Sequence, residues 1–395
     1  MGIIWSLLNV RGSLILEYGP SGTTHYSMGL YGGLGIKFQN RLFTTHMSED
    51  DVVMGDVTRL EQALLELDKA YEPEVIFVVA SSVTAVIGTD IKGVCNYMQQ
   101  DVKAKLIAFE QGGFRGDYSV GVAETYKLLA KHLPKSGIAV RKGCYNIIGA
   151  SAWHYRVASD LWEVKELLNE ALQMQCNACL CNETSVAELA ELGAAEVNIV
   201  LSYEGLEAAK LLQAKFGTPY VYATPYGYKG TLSFLEQVGA AVGRTPEAMV
   251  LMRLNMKQKG LSMLQMLSMM TGVQKKPRAI LKGEYDTILG IAAFLEEAGF
   301  AVEQRLCEHA VKNAPEPEAV THFSEEKEWL AIMRTAKDML VLADEVALTQ
   351  CDDSNMKVLI SCPYLKGSQI AKHFPFMGEK GADYLLELAY SFYQR

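Results

Sequence analysis

LILEYGPSGTTHYSMG, residues 14–29, decides how the chain is read. It opens as a buried strand and closes as the start of a helix. Between them Gly19, Pro20, Ser21 and Gly22 form a turn, followed at once by Thr23, Thr24 and His25. Such a turn lets the backbone approach something closely and lifts the next side chains to the top of a sheet. Strand, tight turn and helix in that order are the opening unit of an α/β fold, and the same order recurs along the chain.

VIFVVASS (75–82) is a continuous apolar run, as expected of a strand buried on both faces. IGTDIKGVCNYMQQ then starts a helix after Gly88, with Thr89 or Asp90 able to cap it. KLIAFEQGGF (105–114) is the next strand, running into a Gly-Gly turn, and GVAETYKLLAKHL (121–133) is an amphipathic helix. The break at 134–137 marks a domain boundary. A second cycle places strands at CYNIIGA (144–150), CNACLCN (176–182), VNIVLS (197–202) and PYVYATP (219–225), with helices between them and one long helical region from 230 to about 270. A third cycle begins at KKPRAILKGEY (275–285) and runs through MKVLISCP (356–363) to a C-terminal helix. The expectation is three α/β domains, 1–135, 136–265 and 266–395, each with a doubly wound, mostly parallel sheet.

Composition narrows the function. The chain has 395 residues, 49% hydrophobic and 21% charged, which suits a folded globular protein. A net charge of −9 without a basic block argues against nucleic acid as a partner. No apolar run reaches the roughly 18–20 residues that span a bilayer. MGIIWSLLNVRG lacks the basic leader and cleavage site of a signal peptide. Eight cysteines are too few for a disulfide scaffold, so a cytoplasmic chain with reduced thiols is expected. There is no Walker A sequence, and Gly32, Gly33 and Gly35 lack the spacing of a dinucleotide fingerprint.

Parallel sheets bind ligands at the carboxyl ends of their strands. That rule selects GPSGTTHY, ASSVTAVIGTD, EQGGFRGDY, GASAW, CLCNETS, LSYEG, TPYGYKG and SCPYLKG. Singly these are capped strand-to-helix junctions. In order, the GPxG turn, TTHMSEDDVVMG, the IGxDIxGV segment and GGFRG resemble the component 1 family of nitrogenase-like oxidoreductases. That family includes nitrogenase α and β subunits, the paired subunits of dark-operative protochlorophyllide reductase and the nitrogenase cofactor-assembly scaffold. NIIGA, VNIVLSYEG and KFGTPYVYATPYGYKGT continue the resemblance. It implies three Rossmann-like domains, pairing with a homologous component 1-like subunit in a homo- or hetero-oligomer, an iron–sulfur cluster between paired subunits, and an ATP-dependent iron protein that delivers electrons.

The departures from the family pattern carry as much weight. The family's cluster thiolates come from the first domain, but Thr23 follows GPSG and Ser82 holds the matching strand end. A further family cysteine, well upstream of the turn, has no counterpart. The cysteine that holds the nitrogenase cofactor in the second domain is matched by Ser202, and its histidine partner by Met377, with His373 nearby. Hydroxyls are hard and barely acidic, whereas iron–sulfur clusters are held by thiolates. Either a partner supplies the thiolates, or no cluster is bound, or the cavity serves something else.

Cys176, Cys179 and Cys181 form C-x₂-C-x-C. On a straight strand Cys179 and Cys181 share a face and Cys176 points the other way, so three ligands cannot converge unless the segment bends. Buried small residues are the favoured reading, with a metal or cluster site as the other. His25 lies over the turn as a ligand, a proton donor or an interface residue, the last being favoured. His154 follows GASAW at the mouth of the second domain. Ser324 can cap a helix that begins with Glu325 and Glu326, and Met263, Met266, Met269 and Met270 recur at helical spacing as packing residues. Two functions follow. One is a subunit of a nitrogenase-like oxidoreductase complex receiving electrons from the iron protein. The other is a cluster-free structural, docking or cofactor-assembly scaffold of the same family.

Overall fold

The computed structural model describes residues 1–25, 28, 40–110, 112–151, 153–270, 276–323, 325–363 and 374–395, with 262–270 described by backbone alone. Ser324, His373 and the side chains of Met263, Met266, Met269 and Met270 lie outside the described residues. The chain falls into two compact units, Met1–Ile138 with Ala178–Gly193, and Ala139–Asn177 with Ala194–Arg395.

The first unit is built on a four-stranded sheet whose order is Leu42–Thr44, Ser13–Tyr18, Val75–Ala80, Lys105–Phe109. Its ladders are all parallel. The two central strands are buried along their whole length, which is why Val75–Ala80 reads as an unbroken apolar run and Ser13–Tyr18 departs from one only at Ser13 and Glu17. Leu60, Leu64, Ile91, Cys95 and Met98 from the following helices close one face over Leu14, Leu16, Ile76 and Val78.

The second unit carries two sheets. One runs Tyr220–Tyr222, Val197–Val200, Cys144–Ile148 and then Gln175–Cys179, whose last two residues belong to the first unit, and its first two ladders are parallel. The other runs Thr321–His322, Ala301–Cys307, Arg278–Gly283, Leu340–Ala343, Met356–Leu359, parallel throughout. Each of the three sheets starts from an inner strand, winds to one side and then returns to the other. Each therefore has a point where the strand order reverses, and a crevice opens there beyond the strand ends.

Three local readings change. The helix expected after Gly88 is present, but a short helix, Ser82–Ile87, precedes it. Ser81 caps this short helix by accepting from Thr84 N, and Gly88 (φ 72°) ends it. Asp90 then caps the next helix, Ile91–Met98, through Gly93 N. The long helical region is two helices, Gly227–Val242 and Ala248–Met270, because Gly243 takes a left-handed conformation and Pro246 follows. CNACLCN is strand only as far as Cys179. The chain turns at Cys181, whose φ is 63°.

Candidate functional site

Three strand ends of the first unit meet at the reversal point between Ser13–Tyr18 and Val75–Ala80. A Cβ on Gly19 would sit 2.3 Å from Ser81 Cβ, and one on Gly112 would sit 2.2 Å from Ala85 Cβ and 3.0 Å from Ser81 O. Those glycines let the GPSG turn and the GGFRG turn close against the Ser81-Ser82 corner. Beyond the corner lies a cavity of about 560 Å³ whose lining includes Thr23, Ser82, Glu17, Arg115, Asp117 and Glu124.

The hydroxyls after the turn hold the loop itself. Thr23 Oγ1 donates to Pro20 O at 2.9 Å, and Thr24 Oγ1 donates to the buried Glu17 at 2.7 Å. Thr23 and Ser82 thus share one cavity. His25 is exposed, its Nδ1 3.2 Å from Ser21 O, and is absent from the described lining. Among the described lining residues there is no cysteine. Cys95 lies in the core beneath, its thiol pushed up to about 12 by burial. Hydroxyls and carboxylates without a thiolate do not fit a cysteine-held cluster supplied by this chain alone.

Cys179 and Cys181 are buried and Cys176 is half-buried. Burial and the neighbouring Cys179 raise the Cys181 thiol, the opposite of what a metal-binding thiolate needs. Among the described residues no three His, Cys, Asp or Glu side chains are placed to hold a metal ion.

A second cavity opens where the Cys144–Ile148 and Val197–Val200 strands end. Gly149, at φ 93°, lies so close to Ser202 that a Cβ would meet Ser202 Oγ at 2.7 Å. The cavity is small, about 20 Å³, room for about one water. Ser202, Met377 and His154 line it, together with four acids, Asp160, Glu204, Glu284 and Asp286. Asp160 stands in the first turn of the helix Val157–Leu172 and accepts from Phe376 N at 2.6 Å and Met377 N at 2.9 Å. Asp286 accepts from Tyr203 N at 2.9 Å and from the Tyr222 hydroxyl. Burial raises both carboxyls to about 7.

Glu284 ends the Arg278–Gly283 strand and precedes the helix Tyr285–Glu297. Both its carboxyl oxygens are buried with no hydrogen bond to another residue, the near donor being its own N–H, and Ser202 Oγ is likewise unpaired. Burial and Glu308 raise Glu284 well above the usual range. Tyr285 N donates to His309 Nε2 at 3.1 Å, which assigns the ring proton to Nδ1, directed at the Tyr203 hydroxyl 3.2 Å away. A hydroxyl, a thioether and a ring of acids around a one-water space do not fit a multi-metal cofactor. Glu284 and Asp286 were missed in the sequence because GEYD sits at a strand end of the third cycle, far along the chain from Ser202. The strand-end rule, applied there too, would have found it.

Doubly wound parallel sheets with crevices at their reversal points define the class, an α/β protein of Rossmann-like architecture. The chain belongs to the nitrogenase component 1 type oxidoreductase family, whose profile matches residues 1–388. It is 28% identical over 247 residues to a nitrogenase iron-molybdenum cofactor biosynthesis protein NifE of Nostoc sp., covering 61% of this chain and 50% of that one. It is 24% identical over 240 residues to the nitrogenase molybdenum-iron protein alpha chain of Clostridium pasteurianum, covering 58% and 44%. The chain spans about half the length of the curated relatives it matches. A solved structure described as nitrogenase Cp1 at pH 6.5 superposes with a TM-score of 0.78 at 17% identity, covering 99% of this chain and 90% of that one, a likeness of fold.

Proposed function

We propose that this chain is a docking or cofactor-assembly subunit of a nitrogenase-like assembly and does not itself ligate an iron–sulfur cluster. The observation that carries the reading is the first-unit cavity. Its glycine-backed corner brings Thr23 and Ser82, which the family resemblance matches to thiolates, to one cavity whose described lining holds no cysteine. Likeness to cofactor-biosynthesis relatives supports it. In this reading the chain is cytoplasmic and pairs with a homologous component 1-like subunit, whose cysteines supply any cluster ligands. Among the described residues no helix is long and apolar enough to cross a membrane.

A second reading keeps the chain in an electron-transfer complex served by an ATP-dependent iron protein. The size of the first-unit cavity favours it, since a cluster gripped by the partner needs such a space. Anaerobic co-purification with the neighbouring component 1-like partner tests the first reading, and ATP-dependent reduction of the bound cluster by the iron protein in that complex tests the second. When the chains are parted, iron and sulfide staying wholly with the partner supports the first reading. Iron that leaves with this chain, and is lost on replacing Cys176, Cys179 and Cys181 by Ala, overturns it.

A further inference from the structure

We propose that the second-unit cavity binds a primary ammonium group, the cationic end of a small amine. The walls carry four acids, and the one basic side chain among the described lining, His154, is pushed down to about 4 by burial and by His309. It is therefore neutral near pH 7 and offers no charge. The nearby cations are committed elsewhere. Lys282 pairs with Asp344 and, at 3.7 Å, with Glu308, and offsets part of the Glu284 charge. Arg156 lies over the rings of Phe376 and Tyr384, at 4.7 and 4.9 Å, and offsets part of the Asp160 charge.

Glu284 and Ser202 are 4% and 3% exposed, and their oxygens lack partners on other residues beside the cavity. A buried carboxylate without donors is costly, so the site calls for hydrogen-bond donors carrying positive charge. An ammonium head is about the size of a water and brings three N–H donors. Glu284 and Ser202 can accept two of them, and Asp286 can accept the third. The rings of Tyr155, Tyr226, Tyr285 and Phe376 also line the cavity and suit a desolvated cation. Coordination of a metal ion is a poorer match, since among the described residues no side-chain set is placed for it. A quaternary ammonium exceeds the space.

The test is thermal unfolding in amine-free phosphate buffer at constant ionic strength, with methylammonium, tetramethylammonium or sodium chloride added to the wild type, Glu284→Gln and Ser202→Ala. Methylammonium is expected to raise the wild-type Tm saturably by about 2–4 °C, the scale a ligand in excess produces in a chain of this size. Tetramethylammonium and sodium are expected to leave it unchanged. Glu284→Gln should abolish the shift and Ser202→Ala should reduce it. Should Glu284→Gln fail to fold, calorimetric titration of methylammonium into the wild type and Ser202→Ala decides. A shift equal for all three salts, a methylammonium shift retained in Glu284→Gln, or no heat of binding in the wild type overturns the proposal. So does a wild type indifferent to every cation beside an equally stable Glu284→Gln, which marks Glu284 as a carboxyl neutralised by its own proton.

Discussion

Thr24 and Glu17 are 1% and 5% exposed, and the hydroxyl of one is a donor to the carboxylate of the other. Thr24→Val keeps the shape and removes the donor, leaving a buried carboxylate short of a partner. It should destabilise the protein by about 1–3 kcal/mol, read from the urea midpoint, while Thr23→Val, at a partly exposed bond within the turn, should cost less than about 1 kcal/mol. Asp286 gives a dependence on pH. Its carboxyl rises from an ordinary 3.8 to about 7, so between those values the folded state holds more protons than the unfolded one. Its contribution is therefore fully present below pH 3.8 and fades as pH climbs to about 7, a span on the order of 4 kcal/mol before any compensating cation binds. Asp286→Asn, which can still accept from Tyr203 N, should flatten that part of the stability-against-pH curve. An unchanged slope would place the titration elsewhere. The opening turn was legible at this scale because Gly and Pro announce it. What the hydroxyls touch was not, since Glu17 lies within the preceding strand and its burial depends on the neighbouring loop.

Elements in this fold are held by close approach at strand ends. Gly112→Ala drives a methyl into Ala85 and the Ser81 carbonyl. It should cost more than about 2 kcal/mol. Gly22→Ala meets nothing within 4 Å and should be neutral within about 0.5 kcal/mol. Equal effects in the two variants would refute the close corner. Ser81→Ala removes the cap on the helix Ser82–Ile87 and its contact with Thr84, at about 1 kcal/mol. Strands such as VIFVVA were readable because burial on both faces favours unbroken apolar runs. Helix starts were harder. The helix after Gly88 was legible through its cap at Asp90, but the short helix Ser82–Ile87 before it was not, because a serine capping its own corner leaves little trace in sequence. The bend at Cys181 was equally hidden, as a non-glycine residue at positive φ carries no compositional mark.

Across the whole molecule, the chain keeps the family's architecture. The profile spans residues 1–388, and the fold superposes over 99% of the chain. Apolar patterning preserves architecture while tolerating change in side chains, so the resemblance could be read from motif order alone. The second cavity could not, because its acids come from separate elements and converge only once two sheets are in place. The claim to test is that this chain cannot grip a cluster by itself. The most direct measurement is iron and sulfide content, with visible absorption, of the chain purified alone under anaerobic conditions and then supplied with iron and sulfide. The account predicts a colourless protein with no stoichiometric iron. Stoichiometric iron and sulfide with the broad charge-transfer absorption of a thiolate-held cluster would contradict it.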